Sequence, residues 1–187
     1  MGRPKAWLPF GPEVMLQRVV RILSGVVSPI VVVAAQGQDL PELPSDVEIA
    51  RDEEEGLGPL AGLAVGLAAL ADRVDAAYAS SCDVPLLSAA FVSSVIGALH
   101  DDDLAIPRDG EFHHPLAAVY RTRLVMTIQA LVAARRLRPV YLLKCARARE
   151  IEVAELRPVD RELSSLRNIN TPDEYAAALK DAGFPLP

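Results

Sequence analysis

From Glu13 to Leu23 the apolar residues Val14, Leu16, Val19, Val20 and Leu23 recur at helical spacing. Gln17, Arg18 and Arg21 fall on the other side, so the segment predicts an amphipathic helix. Gly25 and Pro29 punctuate its end. Pro29 to Ala35 is then continuously apolar and rich in β-branched residues, the pattern of a strand buried on both faces of a parallel sheet. A loop carrying Pro41 and Pro44 leads to a short strand at Val47 to Ala50. Pro59 to Ala71 reads as a helix of small residues, Ala76 to Ser80 as a buried strand, and Ser88 to Leu99 as a helix with Ser88 at its N-cap.

Further along, Leu104 to Pro107 and Leu116 to Tyr120 are strand candidates around a turn at Asp109-Gly110, and Thr122 to Arg135 is helical. Val140 to Cys145 fits helix and strand equally, and Arg149 to Val153 fits a strand. Thr171-Pro172-Asp173-Glu174 opens a last helix to Ala182, with Thr as N-cap, Pro in the first turn and Glu at the third position. Strands alternating with helices define an α/β fold with a mostly parallel sheet. Without internal repeats or low-complexity stretches, residues 1–187 read as a single domain.

Composition narrows what such a domain can do. Hydrophobic residues make up 51% of the 187 positions but aromatics only 5%, so the core is built from small aliphatics and offers little for stacking nucleic-acid bases. A formal charge of −6 argues against a polyanion-binding surface, though a single nucleotide needs only a few local cations and backbone N–H groups. Cys82 and Cys145 are too few for a disulfide framework. No signal-peptide pattern or membrane-length apolar run is present, and the chain reads as soluble and cytoplasmic.

In open α/β sheets ligands bind beyond the carboxyl ends of the strands, and four segments there carry candidate chemistry. Arg51-Asp52 through Gly62 combines an acidic run with glycines that allow tight turns and a helix start with free N–H groups. The spacing alone also fits a solvated loop and a helix packed through its glycines. Ser80-Ser81-Cys82-Asp83-Val84-Pro85 places a carboxylate just past a buried strand, where it could hold Mg²⁺ with phosphate oxygens or simply start a turn. Cys82 reads as a small buried residue. Asn168-Ile169-Asn170-Thr171-Pro172 sets two amides before a capped helix, suited to a metal-bound water or a phosphate oxygen, or to an ordinary turn. His113-His114-Pro115 is no zinc pair, because adjacent side chains of an extended chain diverge; one histidine is placed to contact a substrate.

Taken in order, with a Lys near the N-terminus, these segments resemble the molybdenum cofactor guanylyltransferase family across nearly the whole chain. The family opens with a strand and a signature of the form L-A-G-G-x-S-x-R-M-G-x-x-K, of which Met1-Gly2-Arg3-Pro4-Lys5 matches the M-G-x-x-K end. The resemblance therefore implies a Rossmann-like three-layer α/β/α nucleotidyltransferase of the GT-A-like kind whose first strand and glycine-rich loop lie outside this sequence. It also implies either a translation start upstream of Met1 or, for the chain as it stands, feeble or absent activity.

The same resemblance makes Lys5 the cation on the nucleotide phosphates and Asp83 the Mg²⁺ ligand. Asp52 with Gly58, Pro59, Leu60, Ala61 and Gly62 would recognise GTP, the G-P-L-A-G segment being associated with guanine. His114, Asn168 and Asn170 would face molybdopterin. The implied reaction moves GMP from GTP to Mo-molybdopterin and releases pyrophosphate, with Mg²⁺ as the cofactor, and other cofactor-biosynthesis proteins or acceptor molybdoenzymes as partners. Related cytidylyltransferases, sugar-phosphate nucleotidyltransferases and a non-catalytic binding relative are the competing readings.

Overall fold

A computed structural model describes residues 4–52 and 56–186. The chain begins with a 3-10 turn at Lys5–Trp7 and a hairpin of two short strands, β1 (Pro9–Phe10) and β2 (Glu13–Val14), which hands over directly to α1 (Met15–Ser24). The amphipathic period predicted from Glu13 is thus helical from Met15 only, because Glu13 and Val14 are drawn into pairing with Phe10 and Pro9. β3 (Ile30–Ala35), β4 (Val47–Asp52), α2 (Pro59–Leu70) and β5 (Ala76–Ser80) follow as expected, β4 running two residues longer. α3 (Ala89–Gly97) starts where Ser88 accepts a hydrogen bond from the Phe91 N–H at 3.1 Å.

β6 (Leu104–Asp109) turns back through β7 (Phe112–His113) into β8 (Ala117–Arg121), and α4 (Val125–Ala133) leaves through a 3-10 turn at Thr122–Leu124. The undecided segment after Pro139 is helical, α5 (Pro139–Leu143). β9 (Ala148–Glu152), α6 (Val153–Leu156) and α7 (Pro172–Asp181) complete the order. No helix among the described residues is long and apolar enough to cross a membrane.

The period-2 alternation of β8 shows how the layers form. Ala117 and Val119 face α1 and α3 in a cluster with Val19, Leu23, Phe91, Val92 and Val95. Ala118 and Tyr120 face α2 and α4, with Leu60, Leu67, Leu124 and Ile128. Successive strand residues point to opposite faces, so a sheet with helices on both sides needs apolar residues at every position, and β8 supplies them. The architecture is the expected three-layer α/β/α.

The sheet itself is mixed. β3 pairs with β4 in parallel and β6 with β9 in parallel, whereas β5–β8, β8–β6 and β6–β7 are antiparallel. The parallel character predicted from the helix–strand alternation is therefore partial: the short β6–β7–β8 return reverses the chain without a helical crossover. β3 and β5, meanwhile, run side by side. Ile30 at the start of β3 and Ala76 at the start of β5 pack in one cluster with Leu23, while Cys82 just past β5 packs with Leu16 from the other end of α1. Both strands thus travel the same way, antiparallel to α1.

Among the described residues no hydrogen bonds link β3 to β5, and the sheet there is in two parts: β3–β4, and β5–β8–β6 with β7 and β9. Between the parts lies a cavity of about 1010 Å³, floored by α1 and roofed by α2. This explains why β3, expected to be buried on both faces, is only half-buried along most of its length, with Ala34 alone fully buried.

Candidate functional site

The site is assembled at the carboxyl end of β5. Leaving that strand, the chain turns through Ser81-Cys82-Asp83 and is held by Arg18, whose Nε donates to the Pro85 carbonyl at 2.6 Å. Arg18 lies over the rings of Phe10 and Phe184, with its guanidinium carbon 5.0 and 5.4 Å from their centroids, so the β1–β2 hairpin and the C-terminal segment both brace the turn. The Ile169 N–H donates to the Asp83 carbonyl at 2.9 Å, which brings the Asn168–Thr171 segment alongside.

Asp83 is consequently the centre of a dense polar cluster. Lys5 Nζ donates to Asp83 Oδ2 at 2.7 Å and to Asn170 Oδ1 at 2.7 Å. Asn168 Nδ2 donates to Asp83 Oδ1 at 2.7 Å, and the Ser81 hydroxyl donates to the same oxygen. Burial on its own would raise the Asp83 pKa, but the hydrogen bonds from Lys5, Ser81 and Asn168 outweigh it and hold the carboxyl below its ordinary value. The ion pair opens to solvent on one side: the Asp83 side chain is 11% exposed and that of Lys5 35%.

Asn170 and its neighbours are fixed from behind by the predicted helix start. Thr171 accepts from the Glu174 N–H, and Glu174 Oε2 accepts from the N–H groups of Asn170 and Thr171 at 2.7 and 2.9 Å, a complete capping box. Those two backbone bonds lower the Glu174 pKa. Residues separated by 165 positions, Lys5 and Asn170, are thereby set within a hydrogen bond of each other.

Lys5, Asp83, Asn168 and Asn170 are therefore brought together. The glycine segment stands apart from them, across the mouth of the cavity. Asp52 ends β4 and lines that mouth with Gln38, Gly56, Pro59, Gly62, Ser81 and Cys82. Gly58 precedes α2 with φ +72°, a backbone angle that favours glycine. Leu60 and Ala61 are buried in the core at 1% and 6% exposure, so a ligand at this end of α2 would meet their backbone and not their side chains. Cys82, expected to be buried, is only half-buried; its thiol pKa is pushed up by burial and by the Asp83 charge, which leaves it a poor nucleophile.

His114 lies on a third face, past β7. Its ring packs edge-to-face on Phe112 at 4.9 Å, and its carbonyl accepts from the N–H of Ala117, the residue that pairs with Ser80. Burial lowers its pKa and keeps it neutral near pH 7. His113 instead bonds Glu150 at 2.8 Å. Sequence reasoning gave Ser81 no part in the Asp83 cluster; the Ser-x-Asp spacing in a turn was the available signal.

A mixed α/β sheet with a charged cluster at the carboxyl end of a strand and a glycine-started helix at the same cavity has the layout of an α/β nucleotide-binding fold. The comparisons agree. Residues 1–150 match the MobA-like NTP transferase domain, and the chain belongs to that family. It is 37% identical over 164 residues to a probable molybdenum cofactor guanylyltransferase of Mycobacterium tuberculosis, covering 85% of this chain and 80% of the relative. Its fold superposes on molybdopterin-guanine dinucleotide biosynthesis protein A from Archaeoglobus fulgidus with a TM-score of 0.79 at 20% identity, over 97% of this chain and 92% of the other. A 2-C-methyl-D-erythritol 4-phosphate cytidylyltransferase from Thermus thermophilus shares the fold at TM-score 0.72 and 17% identity, covering 96% and 94%. The chain is a nucleotidyltransferase of the MobA-like family.

Proposed function

We propose that the protein transfers GMP from GTP to Mo-molybdopterin in the cytoplasm, with residues 1–187 belonging to a single nucleotidyltransferase domain. The observation that carries the reading is the meeting of Lys5, Asp83, Asn168 and Asn170 at one strand end, in a chain 37% identical to a probable molybdenum cofactor guanylyltransferase. A phosphate oxygen of the pterin attacks the α-phosphorus of GTP, the bond from that phosphorus to the bridging oxygen breaks, and pyrophosphate leaves with the electron pair. Both reactants are anions, so neutralising and aligning them is the protein's main task.

Lys5 supplies the mobile positive charge, exchanging its hold on Asp83 and Asn170 for the phosphates. Asp83, ionised and buried on one side, together with the amide oxygens of Asn168 and Asn170, offers hard oxygen donors that suit Mg²⁺ alongside phosphate. Bound there, the ion would offset charge on the phosphate oxygens. The N–H groups after Gly58 at the start of α2, with Asp52 beside them, would receive the guanine end, and His114, neutral, would face the pterin with Asn168 and Asn170.

Pyrophosphate release with GTP, Mg²⁺ and Mo-molybdopterin tests the reaction. Calorimetric titration with GTP and CTP tests the base: tighter binding of CTP would overturn the guanine assignment, as would equal turnover of the two nucleotides.

A further inference from the structure

The ammonium of Lys5 stands between two oxygens that suit a divalent ion. Its Nζ is 2.7 Å from Asp83 Oδ2 and 2.7 Å from Asn170 Oδ1. The other carboxylate oxygen, Oδ1, already accepts from the Ser81 hydroxyl and from Asn168 Nδ2. Asp83 is therefore neutralised by Lys5 and bonded at both oxygens. The carboxylate of Glu174 is spent on the N–H groups of Asn170 and Thr171. No group of three or more histidine, cysteine or acidic side chains that could hold a metal ion occurs among the described residues. One carboxylate with amide oxygens makes a site of the kind that takes Mg²⁺ together with phosphate oxygens that complete its shell. The two charged partners also differ in freedom. Asp83 is locked by Ser81, Asn168 and the bond from the Ile169 N–H to its carbonyl, whereas the Lys5 side chain is 35% exposed and carried on a flexible stem.

We propose that Lys5 is a resident counter-ion that keeps free divalent metal off Asp83, so that metal and nucleotide enter as one metal–triphosphate complex. The inference rests on the transferase reading above and adds the order in which its ligands arrive. A metal ion alone brings only positive charge toward an ammonium already bonded to both oxygens, and like charges at contact distance repel strongly in a half-buried site. A metal–triphosphate complex remains anionic. Its phosphate oxygens draw Lys5 away from Asp83 and Asn170, and the uncovered oxygens then face the cation that the phosphates carry. Exchanging one charge partner for another leaves the carboxylate compensated throughout, which matters because an unpaired charge is costly to bury. Lys5 thereby acts twice, first as guard of the carboxylate and then as cation on the phosphates.

Mn²⁺ alone is the probe, with binding read near neutral pH as loss of the free-ion electron paramagnetic resonance signal. Without nucleotide, Lys5→Met should bind Mn²⁺ about tenfold or more tighter than wild type, while Lys5→Arg, which keeps the charge, should stay weak. Adding Asp83→Asn to Lys5→Met should abolish the gain and so locate the ion. Wild type should gain affinity for Mn²⁺ by a similar factor when a non-hydrolysable GTP analogue is present. Thermal melts confirm that the variants are folded, and Lys5→Gln serves as a second charge-removing change. Equal Mn²⁺ affinity in wild type and both charge-removing variants would overturn the inference. So would a gain that survives Asp83→Asn, or a wild type indifferent to the analogue. The comparison of variants with Mn²⁺ alone needs neither GTP nor pterin, so its failure is distinct from failure of the transferase reading, which pyrophosphate release reports.

Discussion

Asp83 draws Lys5, Ser81 and Asn168 onto one carboxylate, and these neighbours define what its replacement does. Asp83→Ala is expected to lower kcat by about 10²-fold or more by removing a charged oxygen donor from the phosphates, measured as pyrophosphate release. Lys5→Met acts on the same group from the other side. With the ammonium gone, burial is opposed only by Ser81 and Asn168, and the Asp83 pKa rises, which a carbon-detected NMR titration would follow. The sign for stability follows from linkage. The folded-state pKa of Asp83 is depressed, so its contribution is complete above the unfolded value of about 3.9 and is lost as pH falls through the lower folded value. Urea melts of wild type should therefore show stability falling in that acid window, and Lys5→Met should reduce the loss. At this scale the motifs singled out Lys5, Asp83, Asn168 and Asn170 as candidates, and the fold brings the four within one hydrogen-bonded cluster. They could not show that Ser81 completes the cluster or that the side chains of Leu60 and Ala61 face the core.

Among elements, α2 repays the closest look, because its glycines separate two demands that the sequence alone could not distinguish. A methyl group at Gly62 would meet Val33 at 3.8 Å, an ordinary contact, whereas at Gly66 it would meet Val33 at 3.2 Å and force it to shift. Gly62→Ala should thus stabilise the protein by up to about 1 kcal/mol through helix propensity, and Gly66→Ala by less or not at all. If the start of α2 receives the nucleotide, Gly62→Ala also weakens GTP binding, so thermal melts and calorimetry on the same variant move in opposite directions. The long periodic elements were legible: β5 falls where its pattern predicts, and α7 starts at its Thr171 cap. The pairs Pro9–Phe10, Glu13–Val14 and Phe112–His113 were not, since two residues carry no period and form strands only because a turn delivers them to a partner.

On the scale of the whole molecule, alternation of helix and strand announced the three layers but hid the reversal of β8, which depends on a short return through β7. It also could not show that the described sheet falls into two parts. Strand patterns report burial against helices above and below, and Ile30–Ala35 reads the same whether or not an edge is bonded. The facing edges of β3 and β5, unbonded among the described residues, carry a consequence for the protein in solution. A row of free backbone groups flanked by aliphatic side chains is a template for another molecule's strand. Sedimentation velocity at rising concentration should show the 187-residue protein self-associating through these edges. A preparation that precipitates while retaining native helical content would thus betray stickiness of an open seam, not misfolding.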